Sequence, residues 1–146
     1  MKNTGVIRRC SVGIGAIGLA LSLASIPTRA DVVAVVSAKS TVTTLSKAQV
    51  AALFLGRASR FPNGVQAVPI DQVDSSAVHD EFYAKYADKT AAQLKAYWSK
   101  IIFTGRGQPP PAVSNSAEMK RRLIENPAAI GYMEQALVDS SVRVVL

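Results

Sequence analysis

Val65-Gln-Ala-Val-Pro-Ile70, then Asp71-Gln-Val-Asp-Ser-Ser76, then Ala77-Val-His-Asp-Glu-Phe82, is the stretch from which the fold can be worked out. Its apolar opening predicts a strand over Val65–Ile70. Val78, Phe82 and Tyr86 fall on one stripe and predict a helix over Ser75–Ala87. The first amides of a helix have no intrahelical acceptor, and the helix dipole makes that end partly positive. An aspartate and two serines at such an end admit two readings. Asp74 or Ser75 can simply cap the helix. Alternatively, Ser75, Ser76 and the amides of Ser76 and Ala77 can hold a small phosphate-like or carboxylate anion, with Gln72 and Asp74 setting its orientation.

Working outward, Asp31–Ser37 carries Val32, Val33, Val35 and Val36, a β-branched run suited to a strand buried on both faces. Leu45–Gly56 reads as a short helix, with Ser46 at the N-cap and Gly56 as its left-handed stop. Phe61-Pro-Asn-Gly64 is a turn. Thr90 caps a helix over Ala91–Phe103, which the Gly105-Arg-Gly-Gln-Pro-Pro-Pro111 segment ends. Asn115-Ser-Ala-Glu118 resembles a capping box opening a helix over Ser116–Glu125. Ala129–Met133 and Val142–Leu146 read as late strands. Strands separated by helices predict an α/β layer structure with a mostly parallel sheet flanked by helices on both faces. Ligands of such sheets gather beyond the carboxyl ends of the strands, where the Asp71–Ser76 loop falls. The expected core is Val33, Val35, Leu53, Phe54, Val68, Ile70, Phe82, Trp98, Ile101, Phe103, Ile130 and Tyr132.

Residues 1–30 read as a secretory signal peptide. Lys2, Arg8 and Arg9 form a basic leader, Cys10–Ile26 is dominated by apolar and small residues, and Thr28-Arg-Ala30 precedes Asp31. Cleavage is expected after Ala30. The apolar run is short for a membrane span of roughly 20 residues. The expected mature protein, residues 31–146, is one α/β domain by length, is located in the periplasm and has no stable membrane span. Removing the leader leaves thirteen basic against ten acidic side chains, a net of +3. That charge is too mild and scattered to argue for nucleic acid. Lys120-Arg-Arg122 reads as a solvated helix face.

No catalytic set appears. The chain has no Gly-x-Ser-x-Gly, the sole cysteine lies in the leader, and the sole histidine is His79. Asp80 and Glu81 are adjacent and point to different faces of a helix, so they are not a paired-carboxylate site. Gly105-Arg-Gly107 reads as a helix-ending turn. No metal or other cofactor is expected, and His79 reads as a solvent-facing residue that can add positive charge below neutral pH.

Several blocks taken in order resemble the phosphate-binding proteins of ABC transporters, within the type II periplasmic binding protein fold. They are Leu45-Ser-Lys-Ala-Gln-Val50 with Leu53-Phe-Leu-Gly56, Val68-Pro-Ile-Asp71 through Ser76 to Phe82, Trp98, Ile102-Phe-Thr-Gly105, and Asn126-Pro-Ala-Ala-Ile-Gly-Tyr132. The resemblance covers most of residues 31–133 and implies a single lobe of that fold with its cleft face open. It implies a solute-binding module for phosphate or a similar small oxyanion at Gln72, Asp74, Ser75, Ser76 and Ala77. An ABC transporter permease or another envelope protein would be its partner. The loop departs from the family pattern, because Gln72 stands where phosphate binders carry an arginine and Val78 where they carry a threonine. Loss of the arginine removes a charged hydrogen bond worth roughly 1.5–3 kcal/mol. That loss motivates a second expectation, a non-catalytic envelope signalling or structural module that kept the fold and lost the ligand.

Overall fold

Strand β1 (Val32–Ser37) is buried along its whole length, and both layers of the fold are built on it. The computed structural model describes residues 30–146. The expected signal peptide, including Cys10, thus lies outside the described residues except for Ala30, which is exposed. After β1 come α1 (Lys47–Phe54), β2 (Val68–Pro69), β3 (Asp71–Gln72), α2 (Ala77–Ala87), α3 (Ala91–Phe103), β4 (Ala112–Val113), α4 (Ser116–Glu125), β5 (Ala129–Glu134), a short 3-10 turn (Gln135–Leu137) and β6 (Val142–Val144).

The α/β layering is as expected, but the sheet is mixed and not mostly parallel. Its order is β2-β5-β1-β6, and β1 runs antiparallel to both neighbours, with Val35 opposite Gly131 on one side and Val144 on the other. Only β2 and β5 pair in parallel within this sheet, and β3 and β4 form a separate parallel pair. Alternation of strand and helix along a chain specifies layers; it does not specify which strands become neighbours.

Alternate residues of β1 serve opposite faces, as the two-residue period of a strand requires. Val32, Ala34 and Val36 join Val50, Leu53, Phe54, Phe82, Tyr86 and Trp98 under α1, α2 and α3. Val33 and Val35 join Met119, Leu123 and Met133 under α4. The first face is strongly aromatic. The Phe82 and Tyr132 rings stack 3.9 Å apart, and Phe54 meets Phe82 edge-on at 4.7 Å.

Two expected core residues lie elsewhere, and a third, Ile101, packs against the core while only partly buried. Val68 is exposed because β2 is a two-residue edge strand. Phe103 is 91% exposed. On α3, Leu94 and Trp98 are the buried residues, and Phe103 sits nine positions after Leu94, half a turn out of phase at 100° per residue.

Candidate functional site

The chain leaves the main sheet at Ile70, whose amide donates to the Ile130 carbonyl at 2.8 Å, and passes into β3, whose Asp71 pairs with Ala112 and Gln72 with Val113 of β4. This brings a carboxylate and a carboxamide into the interior. Asp71 is 5% exposed and is held by donors. The Tyr83 hydroxyl donates to Oδ2 at 2.7 Å, the Gln72 amide to Oδ1 at 2.8 Å, and the Tyr132 hydroxyl to Oδ1 through a short hydrogen bond. Burial nevertheless pushes the Asp71 carboxyl above its ordinary value, outweighing the hydrogen bonds from Tyr132 and Tyr83 and the nearby His79 ring that favour the anion. Burial, together with the Asp71 charge, drives the phenols of Tyr83 and Tyr132 far above their ordinary range, so both remain proton donors.

Gln72 is also buried, and its carboxamide is committed to protein partners. Nε2 donates to the Ser116 hydroxyl at 3.1 Å and the Tyr132 carbonyl at 3.2 Å, and Oε1 accepts from the Ser76 hydroxyl at 3.3 Å. Ser116 in turn donates to Glu134. Gln72 therefore ties the start of α2 to the start of α4. A hollow of about 310 Å³ lies between those two helix starts.

Asp74 and Ser75 stand on the turn before α2, are exposed, and their side chains make no hydrogen bond to other described residues. Ser76 is the N-cap by backbone conformation, but its hydroxyl makes no capping bond. Neither Asp74 nor Ser75, the two capping candidates read from sequence, occupies that position. Ala77 opens the helix and is exposed. In contrast, Ser46 on α1 and Thr90 on α3 both close full capping boxes, with Gln49 and Gln93 respectively. Among these three helices, α2 alone has its start left without a side-chain cap.

His79 is a correction to the sequence reading, being 6% exposed and not solvent-facing. Its Nδ1 lies 3.1 Å from Asp80 Oδ1, and its Nε2 lies 4.0 Å from Asp71 Oδ1. His79, Asp71 and Asp74 line one side of a cleft of about 590 Å³, and Leu94, Trp98 and Ile102 of α3 line another. Among the described residues, no group of three metal-ligating side chains is present. No described helix is long and apolar enough to cross a membrane.

Tyr83, Tyr132 and His79 escaped sequence reasoning as site residues. The available signal was Asp71 itself. A carboxylate that directly follows the strand-forming Val-Pro-Ile run must find buried donors, and Tyr83 and Tyr132 were the aromatic donors within reach.

Three solved structures share this fold. A phosphate ABC transporter substrate-binding protein of Clostridium perfringens, solved with bound phosphate, matches 78% of this chain at 20% identity and a TM-score of 0.60, over 43% of its own length. An ABC-type phosphate transport receptor of Vibrio cholerae matches 78% of the chain at 18% identity and TM-score 0.59, over 44% of its own length. PstS of Borrelia burgdorferi matches the same share at 11% identity and TM-score 0.51, over 46% of its own length. The chain thus has a phosphate-binding-protein-like fold and spans less than half the length of these structures. No family model matches it, and no curated protein is similar in sequence.

Proposed function

We propose that this protein is a non-enzymatic periplasmic solute-binding module that takes phosphate or a similar small oxyanion at the start of α2 and serves ABC-type uptake. The observation that carries this reading is the α2 start, which has no side-chain cap and has Asp74, Ser75 and Ala77 exposed around it, in a fold shared with phosphate-binding proteins. The Ser76 amide expected to hold the anion donates instead to the Val73 carbonyl at 3.0 Å. Ser75 and the first amides of α2 supply neutral donors, and the dipole adds partial positive charge. Asp74 accepts the proton of a singly protonated oxyanion and repels a fully ionised one. Water reaches the open turn and weakens each charged contact. Titration calorimetry with phosphate, sulfate and small carboxylates tests the reading. The expected outcome is measurable heat with phosphate at millimolar concentration or below, lost in Ser75→Ala/Ser76→Ala. Silence from folded wild-type protein would sink it.

One observation favours a second reading. The Ser76 hydroxyl turns inward to Gln72, and Gln72, at the position of the family's arginine, is fully engaged with protein. A module built this way can keep the fold as an envelope signalling or structural part that needs no ligand. It predicts that Ser75→Ala/Ser76→Ala leaves the cellular role intact.

A further inference from the structure

Phe103 is the last residue of α3, and it is 91% exposed. Among the described large apolar side chains none is so open, and Ile102 beside it is 52% exposed. Exposed apolar surface marks a contact site when it is contiguous with more of its kind. Here it continues into the cleft of about 590 Å³ on the flank of α3, whose apolar wall is Leu94, Trp98, Ile102, Pro109 and Pro110. Ile102 belongs to both surfaces. Phe103 follows the cleft-lining Ser99 by four residues, one helical turn, so it rises from the rim. The cleft falls in the volume range of sites that take drug-sized molecules, and it admits a phenylalanine side chain. One face of the protein thus carries a projecting ring with a concavity for such a ring beside it.

The charges around this face are unpaired in both signs. Asp74 lines the cleft, and Lys100 and Arg106 lie three residues to either side of Phe103. None of the three has an ion-pair partner among the described residues, whereas Lys47, Lys85, Lys120, Arg121 and Arg122 all have one. A projection and a cleft side by side are self-complementary under a two-fold rotation, which sets each against its counterpart on the other copy. The same rotation brings the cations of one copy toward Asp74 of the other. An anionic lipid surface matches this face less well, because it leaves the concavity unfilled and repels Asp74.

We infer that the occupant is a second copy of this chain, bound two-fold so that Phe103 of each copy fills the Trp98 cleft of the other, with Lys100 and Arg106 facing the other's Asp74. This goes beyond the oxyanion reading and does not depend on it.

Trp98 is the only tryptophan in the chain and lines the cleft, so its emission should shift as an entering ring displaces water. Sedimentation equilibrium and Trp98 emission, followed from about 1 to 300 µM protein, should show one transition to a dimer with a micromolar Kd. Phe103→Ser removes the projection, and Ala92→Phe fills the cleft from α3. Both positions are exposed, so neither change disturbs the core. Each variant alone lacks both contacts and should dimerise at least about a hundredfold more weakly than wild type. Mixed one to one, the two variants retain one intact ring and one intact cleft, and should associate at least about tenfold more tightly than either alone. Wild-type protein that stays monomeric throughout this range overturns the inference, and binding of that monomer to phosphatidylglycerol vesicles through Phe103 assigns the face to a lipid surface instead. Phe103→Ser protein that dimerises as tightly as wild type also overturns it, as does a mixture no tighter than its components.

Discussion

Asp71 and its two tyrosine partners make stability fall as pH rises, in two separate ranges. Its carboxyl has a folded pKa raised above the ordinary 3.8, chiefly by burial. The native state therefore holds that proton more tightly than the unfolded chain. The associated stability is fully present below the ordinary value and is lost as pH rises through the raised one. At the other end of the scale, Tyr83 and Tyr132 are raised from an ordinary value of 10. Above pH 10 the unfolded chain releases protons that the native state keeps, so stability falls again, by about 1.4 kcal/mol per pH unit for each tyrosine. Urea midpoints should be flat near neutrality and drop steeply above pH 10. Tyr83→Phe should lessen that alkaline slope, which Tyr86, also raised by burial, shares, and should cost about 1–2 kcal/mol at pH 7, where Asp71 Oδ2 loses its donor. An unchanged slope would mean that Tyr83 ionises freely in the native state. Asp71→Asn should cost about 1–3 kcal/mol, because an amide group would turn hydrogen-bond donors toward hydroxyls that themselves donate. That cost should shrink in Tyr83→Phe. None of these three partners is near another in sequence, and for this reason the cluster was hidden until the strands were placed.

Helices were the most legible elements, because their ends are written in adjacent residues. Ser46 with Gln49, Thr90 with Gln93, and the left-handed Gly56 at φ 66° all occur where the sequence places them. Asn115 fulfils half of its expected box. It accepts from the Glu118 amide, but the Glu118 carboxylate turns back to the Ser114 amide and hydroxyl. Lys120-Arg-Arg122 is a largely exposed face whose charges pair with Glu118, Glu125 and Asp139. The two-residue strands β2, β3 and β4 were not legible as such, because their existence depends on a partner far along the chain. The contrast among helix starts yields a prediction at this scale. Ser46→Ala and Thr90→Ala should each cost about 1 kcal/mol, read as a lower thermal midpoint. Ser76→Ala removes no capping bond, only its 3.3 Å bond to Gln72, and should cost less than either. A larger thermal loss at Ser76 than at Ser46 and Thr90 would show that the α2 start is structural and not kept for a ligand.

At the scale of the whole molecule, α4 approaches the sheet closely at Gly131. Gly131 on β5 lies opposite Val35 of β1, and Met119 of α4 packs directly over it. A Cβ at Gly131 would meet Met119 Sδ at 2.2 Å, a separation that no small adjustment absorbs. The sequence predicts a strand over Ala129–Met133, but the side chain that approaches Gly131 is fixed by the packing of α4 on the sheet. The same contact bears on the site, because α4 begins at Ser116, which holds Gln72, and β5 carries Tyr132, which holds Asp71. Gly131→Ala should therefore lift α4 or force Met119 from its rotamer, at a cost of about 1–3 kcal/mol or more. Met119→Ala alone should cost about 2–5 kcal/mol through the cavity it leaves. The pair should be less destabilising than the sum of the two single changes, because the new methyl occupies space that the missing thioether vacates. A denaturant series on the four proteins measures this coupling. Strict additivity would mean that the layer spacing is held elsewhere. Loss of phosphate binding in Gly131→Ala, with rescue in the double variant, would tie the seating of α4 to the α2 start through Ser116 and Gln72.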